Sequence, residues 1–378
     1  IVYATVGVEG TSIGSITNQA GEFRLHLADS LRRKSLVFSH VGYVAQKIDI
    51  PLLTAGQHFT LTLEPRIFPL QEVVIRVVHP IRLMREMLEK RMINYSQKPV
   101  YFTTFYREGV QYKQKFRSLT EAVFKIYKSP VQSLYAREQV KLLKMSRITD
   151  GLEQDTLIAR MSGGIDACLQ LDIINHLPDF LLADAHKDVY AYTSADVTIV
   201  GDHLVNVISF EQKKEVKEPL YCGELYIDSD NGALLQAQIR IHPRYMKQAT
   251  DMVVQRQARR MKIVLQELTY TISYKPWNGT YYINHVRGDL HFKVKQKRQW
   301  LGSSSLHTWF EMVTCKIDTV GVTRFQRNER IPTRTVFADT HFKYDSDFWE
   351  NFNVIPWEKQ LVEVIEQLTS KIEKIEYE

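Results

Sequence analysis

From residue 100 onward one pattern governs what this chain can become: apolar and polar side chains alternate, run after run. Residues 100–112, 116–127, 197–210, 220–227 and 234–242 each keep period two, the spacing of a strand with one buried face. Gly223-Glu224-Leu225-Tyr226-Ile227-Asp228 leads into Ser229-Asp230-Asn231-Gly232, turn chemistry that folds two such runs into a hairpin. Further runs at 264–274 and 280–286 flank Trp277-Asn278-Gly279, and runs at 291–297 and 308–317 follow. Roughly ten strands in a meander, broken by two helical stretches, predict a large curved antiparallel sheet, half-barrel-like, wrapping a helix. Composition agrees: 19 Tyr and 17 Phe favour sheet, and 44% hydrophobic against 24% charged residues excludes wholesale disorder. At 378 residues two or three domains are expected. The net charge of +6 is mild over this length; it permits an anionic partner without requiring one.

The first seventy-five residues carry shorter runs, at 5–8, 13–17, 22–27, 35–39, 46–50 and 59–63, spaced as in a small antiparallel sandwich. Gly21 closes the turn Thr17-Asn18-Gln19-Ala20-Gly21. The stretch Val8-Glu9-Gly10-Thr11-Ser12-Ile13-Gly14-Ser15-Ile16-Thr17-Asn18-Gln19-Ala20-Gly21-Glu22-Phe23 resembles the signature of the carboxypeptidase-regulatory-like domain. Val37-Phe38-Ser39-His40-Val41-Gly42-Tyr43 is similar to its "S-x-x-GY" strand, and Leu70-Gln71-Glu72-Val73-Val74-Ile75 to its closing strand. The resemblance implies a seven-stranded, transthyretin-like sandwich over residues 1–78, of the kind that precedes TonB-dependent transporters and other envelope proteins of Bacteroidota-type bacteria. Such modules accompany a zinc protease domain in the carboxypeptidases but hold none of its ligands, and the chain has no HExxH. The chain opens on Ile1-Val2-Tyr3-Ala4-Thr5-Val6, read as the inside of a strand, so residues ahead of it, a secretion signal included, are expected.

Residues 79–378 are expected to form the second domain. Ile81, Leu83, Met84, Met87, Leu88 and Met92 predict a linking helix over 81–94, its methionine stripe read as core packing. Helices are also predicted over 172–184, kinked by Pro178, and over 245–261. Arg256, Arg259 and Arg260 form a basic cluster with Lys262; its plain reading is a solvated face, its functional reading a contact with lipid phosphates or an acidic partner. Cys168, Cys222 and Cys315 are too scattered for a redox pair or zinc knuckle and read as isolated buried thiols. Asp172 and His176 lie four residues apart on a predicted helix, and His285 and His291 six apart, but neither pair has a third ligand or a nucleophile. No catalytic, cofactor-binding or metal residues are therefore expected. Phe292 to Trp300 interleaves basic and aromatic residues but reads as an exposed strand face, so no nucleic acid is expected.

The "GELYID" hairpin is similar to those of outer-membrane lipoprotein-carrier half-barrels. Tyr344 to Ile355 resembles the "FW-x-x-(Y/F)N-x-I" ending of Bacteroidota proteins that couple a regulatory-like domain to such a second domain. Pro356 and Glu358 suit a first helical turn, and Leu361, Ile365, Leu368, Ile372 and Ile375 set a heptad seam in a helix predicted over 357–376. Two heptads cannot stand alone, so the seam must pack on the chain's own sheet, beside Trp349 and Trp357, or on a partner. Trp349, Trp357, Leu361, Ile365, Leu368 and Ile372, with Arg256, Arg259 and Arg260, are the candidate partner contacts. The reading is a mainly β, exported, non-enzymatic accessory or scaffold subunit of an outer-membrane complex, placed in the periplasm or at the outer membrane, with lipid contact and a lipid anchor open. The alternatives are a carrier or sensor holding an apolar ligand in the concave sheet and, third, a hydrolase.

Overall fold

The computed structural model describes residues 1–54, 56, 58–66, 79–132, 138–149, 159–161, 164–200, 203–257, 261–296, 302–333, 352, 355–357 and 362. Four short strands come first: β1 (Thr5–Val8), β2 (Gly14–Ile16), β3 (Ser35–Ser39) and β4 (Gln46–Asp49), antiparallel in the order β2-β1-β3-β4. The seven expected strands are four among the described residues. Residues 22–27 and 59–63 run without a ladder; the first is tied by a single backbone bond from Asn18 N–H to Glu22 O (2.8 Å). Their Phe23, Leu25, Leu61 and Leu63 still pack on Val6, Leu36 and Phe38, so the alternation reported burial correctly but not pairing. The segment 70–75 lies outside the described residues.

The linking helix is two: α1 (Pro80–Glu89) and α2 (Arg91–Asn94), separated at Lys90. Pro80 starts the first turn, where its missing N–H has no helical acceptor to lose. Leu83, Met84 and Met87 are buried, as their stripe requires.

Ten strands then build one open antiparallel sheet. They are β5 (Val100–Tyr112), β6 (Lys115–Lys128), β7 (Gln139–Thr149), β9 (Tyr190–Val200), β10 (His203–Gln212), β11 (Tyr221–Asp228), β12 (Leu234–Ile241), β14 (Met261–Trp277), β15 (Thr280–Gln296) and β16 (Ser304–Asp318). Their order is β7-β6-β5-β16-β15-β14-β12-β11-β10-β9, so the sheet does not close into a barrel. The last strand in sequence, β16, lies between β5 and β15 and joins two meanders made far apart in the chain. The main core lies on one face, where Phe102, Tyr106, Phe124, Ile272 and Phe292 meet Met84 and Met87, α3 (Gly164–Gln170) and the buried Ile173, Ile174, Phe180 and Leu181. All three cysteines are buried, and none is in a disulfide.

Three expected elements differ. Residues 172–184 form consecutive turns and one 3₁₀ turn at Asp179–Leu181. Pro178 lacks the N–H a helix needs, and Asp172 spends its carboxylate on distant partners. Among the described residues of 245–261 the one α-helix is α4 (Thr250–Val253); the chain then extends as β13 (Val254–Gln257), paired with β8 (Ala159–Met161), so tertiary pairing overrides a helical pattern. The run 197–210 divides into β9 and β10, while 280–286 and the described part of 291–297, residues 291–296, belong to the one 17-residue strand β15, because Gly288 continues the ladder rather than turning it. Apart from Val362, residues 358–376 of the expected last helix lie outside the described residues. Among the described residues no helix is long and apolar enough to cross a membrane.

Gly288 and Gly109 stand directly across from Phe310 and Trp309, whose rings lie over them. A Cβ at 288 would come within 2.4 Å of the Phe310 ring, which is itself buried. Gly288→Ala is therefore expected to cost about 1–3 kcal/mol, the range for overpacking a core, read as a lowered midpoint in urea unfolding.

Candidate functional site

On the face opposite the main core, one rung of side chains crosses four strands with alternating charge. Glu121 of β6 stands opposite Arg107 of β5, Arg107 opposite Glu311 of β16, and Glu311 opposite Arg287 of β15. Antiparallel register puts such residues side by side on one face. Arg107 donates to Glu121 from Nε (2.8 Å), and its Nη1 lies 3.6 Å from Glu311 Oε1. Arg287 reaches Glu311 (3.3 Å) and grips Asp289 with two bonds of 2.6 and 2.9 Å. All four residues of the rung are no more than 6% exposed.

What buries this ladder is the two ends of the described chain. The Tyr3 ring lies 5.3 Å from the Arg287 guanidinium, with Trp309 at 5.1 Å from it. Arg107 donates to Ile355 O, Trp357 Nε1 donates to Glu121 (2.7 Å), and Asn18 donates to Pro356 O (3.3 Å). The small sheet is fastened beside it: Ser12 Oγ donates to Ile317 O and accepts from Ile317 N–H, both at 3.0 Å, and Lys275 donates to Ser12 O (3.4 Å). Burial pushes the Glu311 carboxyl up, but His285, Arg287 and Arg107 outweigh it and hold it below the usual range. Asp289, similarly opposed by burial but paired with His307 and Arg287, is held down to about 2. Burial pushes His285 down.

The second ionic group sits on the core face. Lys128 Nζ lies 2.7 Å from both Glu138 and Asp172, and Tyr274 donates to Asp172 (2.9 Å). Burial alone would push Lys128 down; the two carboxylates outweigh it and hold it up, while Lys128 and His176 hold Glu138 down to about 2. A cavity of about 30 Å³ lies beside them, room for one or two waters, and the Ser129 hydroxyl lining it has no hydrogen-bond partner. His176 faces Glu138 (3.4 Å) and not Asp172, so the pairing that their spacing allowed, and that the sequence reading set aside, is not assembled.

His285 and His291 do share one face of β15, but six strand residues separate them by about 20 Å, too far to hold one ion. His285 turns to Glu311, and His291 stacks on His307 with centroids 4.1 Å apart. His203, Asp228 and Asp230 bring ligand atoms within 4.8 Å of one another, a grouping that sequence spacing did not suggest. Both Asp228 oxygens already serve the hairpin: one accepts from Asp230 and Asn231 N–H, the other meets His203 (2.8 Å). A larger cavity, about 540 Å³, opens where β12 ends its pairing with β14 at Arg240 and Thr269; Phe210, Ile241, Met246 and Leu268 line it with Glu211, Arg240 and Glu267.

Of the candidate partner contacts, Trp357 packs on its own sheet beside Leu119 and Trp309. Arg256 lies in strand β13, not in a helix. Arg259, Arg260, Trp349, Leu361, Ile365, Leu368 and Ile372 lie outside the described residues. The ladder itself was missed, since its middle pair, Arg107 and Glu311, lies about 200 residues apart, and only the placement of Arg107, Glu121 and Glu311 at polar positions of alternating runs hinted at it.

Residues 1–75 match a family model described as a CarboxypepD_reg-like domain. No curated protein matches the chain. Among solved structures, a domain described as an outer membrane lipoprotein-sorting protein from Vibrio parahaemolyticus aligns at 9% identity and a TM-score of 0.26, over 65% of this chain and 94% of its own. A DUF1329 family protein from Desulfovibrio piger aligns at 11% and 0.28, over 65% and 96%. MucB aligns at 13% and 0.20, over 61% and 96%.

Removing one member of a buried ion pair strands the other, so Arg107→Ala is expected to cost about 3–5 kcal/mol in urea unfolding. Depressed carboxylates add stability above their unfolded pKa of roughly 4 and lose it as pH falls toward the folded value. With Asp289 and Glu138 held at about 2 and Glu311 below normal, stability should therefore fall steeply from about pH 4 to pH 2, measured by denaturant titration across that range.

Proposed function

We propose that this protein is a non-enzymatic component of a bacterial cell envelope, an accessory or scaffold subunit that holds an outer-membrane complex. The observation that carries this reading is that the helix-covered face of the ten-stranded sheet is filled by the chain's own side chains. Met84, Met87, Ile174 and Leu181 are at most 1% exposed there, and the cavity beside Lys128, about 30 Å³, has room for water only. The carboxylates and histidine that a hydrolase would draw on, Asp172, Glu138 and His176, are committed to one another's ion pairs and to Lys128 and Tyr274. A general base needs a lone pair within reach of substrate, and Asp172 is 4% exposed. The regulatory-like match over residues 1–75 supports the envelope placement.

A second reading, binding of an apolar ligand, draws on the larger cavity between β12 and β14 rather than on the filled face. Its volume would take one acyl chain, and its lining is half apolar.

Affinity purification from detergent-solubilised outer membranes is expected to recover a stoichiometric membrane protein. Recovery of the chain alone as a monomer would overturn the accessory reading. Native mass spectrometry of the same sample decides the second: a bound lipid mass that Met246→Trp displaces would support it, and a bare protein mass would remove it.

A further inference from the structure

One end of the large sheet breaks two rules of strand chemistry, and both breaks place lysines. The hairpin between β5 and β6 turns on Lys113 and Gln114, with φ of 53° and 62°. Two-residue turns of this kind favour Asn and Gly, because other residues are strained at positive φ. At the same end Lys262 of β14 stands directly opposite Lys295 of β15, a like-charge pair that disfavours the ladder. Lys293 follows on the same face, and Lys115 flanks the hairpin tip. All five lysines are exposed, and among the described residues none is in an ion pair. The first carboxylate inward on that face of β14 is Glu267, which stands opposite His291.

We infer that this end of the sheet docks on an anionic phospholipid surface. β16 and β15 separate the hairpin of β5 and β6 from β14, so the charges span about 14 Å at the usual strand spacing. They sit on separate strand ends, an arrangement that suits a plane of phosphates better than a single peptide. Their identity points the same way. A lysine ammonium is a mobile point charge suited to headgroups, whereas paired recognition of a protein carboxylate favours the arginine fork. The repulsion between Lys262 and Lys295 is offset when an anion lies against them. The docking rests on the envelope reading above, but it is measured on purified protein without any partner, so its failure and a failed purification of the complex are separate results.

The test is flotation with vesicles of phosphatidylcholine alone and of phosphatidylcholine with one third phosphatidylglycerol, at low and at high salt. The protein is expected to float with the anionic vesicles only, and to be released by salt. The triple change Lys262→Gln, Lys293→Gln and Lys295→Gln should weaken binding about a hundredfold, at about fivefold per lysine. The triple arginine variant should retain it, and unchanged urea midpoints would show that both variants fold. If the glutamine variant does not fold, Lys113→Gln with Lys115→Gln serves instead, with about a 25-fold loss expected. Equal binding to neutral vesicles, insensitivity to salt, or full binding by the glutamine variants would overturn the proposal. So would lysine-dependent capture of an acidic protein without any vesicle binding.

Discussion

The buried rung Glu121–Arg107–Glu311–Arg287 is the constraint on which the rest of the structure depends. It fixes three strand pairings at once, and the middle one joins β5 to β16 across 200 residues of chain. A slip of one residue in any pairing would turn its charge into the face occupied by Phe102, Tyr106 and Phe124, where no partner exists for it. The position of β16, and hence the union of the two meanders, is set by charge as firmly as by apolar burial. The ladder also requires a cover, because arginines and carboxylates sealed at a few per cent exposure need every remaining donor and acceptor met. Ile355 O, Trp357 Nε1 and the Tyr3 ring meet them, which is why segments from both ends of the chain lie on one patch of sheet.

Strands whose two faces differ in kind were legible. Residues 100–112 coincide with β5, and 116–127 and 234–242 fall within a residue or so of β6 and β12, because each keeps apolar residues on the core face and polar ones on the other. The failures have specific causes. In β15 the sequence Arg287-Gly288-Asp289 has the composition of a turn; inside the ladder Arg287 is paired, Gly288 makes room for Phe310, and the strand runs on. In 172–184 the apolar spacing was real, and Ile173, Ile174 and Leu181 are buried, but Pro178 and the long-range use of Asp172 replace helical bonds by turns.

The candidate site was far less legible than the fold. Period two states that Arg107, Glu121 and Glu311 are off the main core, and such residues are ordinarily solvated; Arg287 falls between two runs. That they are buried follows only from the second layer, which docks through Ser12, Asn18, Tyr3 and Trp357. The regulatory-like motif was readable because its glycines and turn residues lie within sixteen positions of one another. Where it rests on the sheet depends on contacts more than 300 residues apart, between Ser12 and Ile317 and between Asn18 and Pro356.

The two faces of the sheet thus divide the work of a rigid body. On one, the chain's own helices and turns occupy the space in which a ligand would have lain, and the ionic group around Lys128 seals it. On the other, charge and aromatic rings bind the chain's ends to its centre. Groups so committed have little freedom to move a proton or admit a substrate, since each change of protonation breaks a pair that is already desolvated. Among the described residues, the groups outside these two networks lie at the periphery: the strand ends with lysines in no ion pair, and the opening where β12 parts from β14.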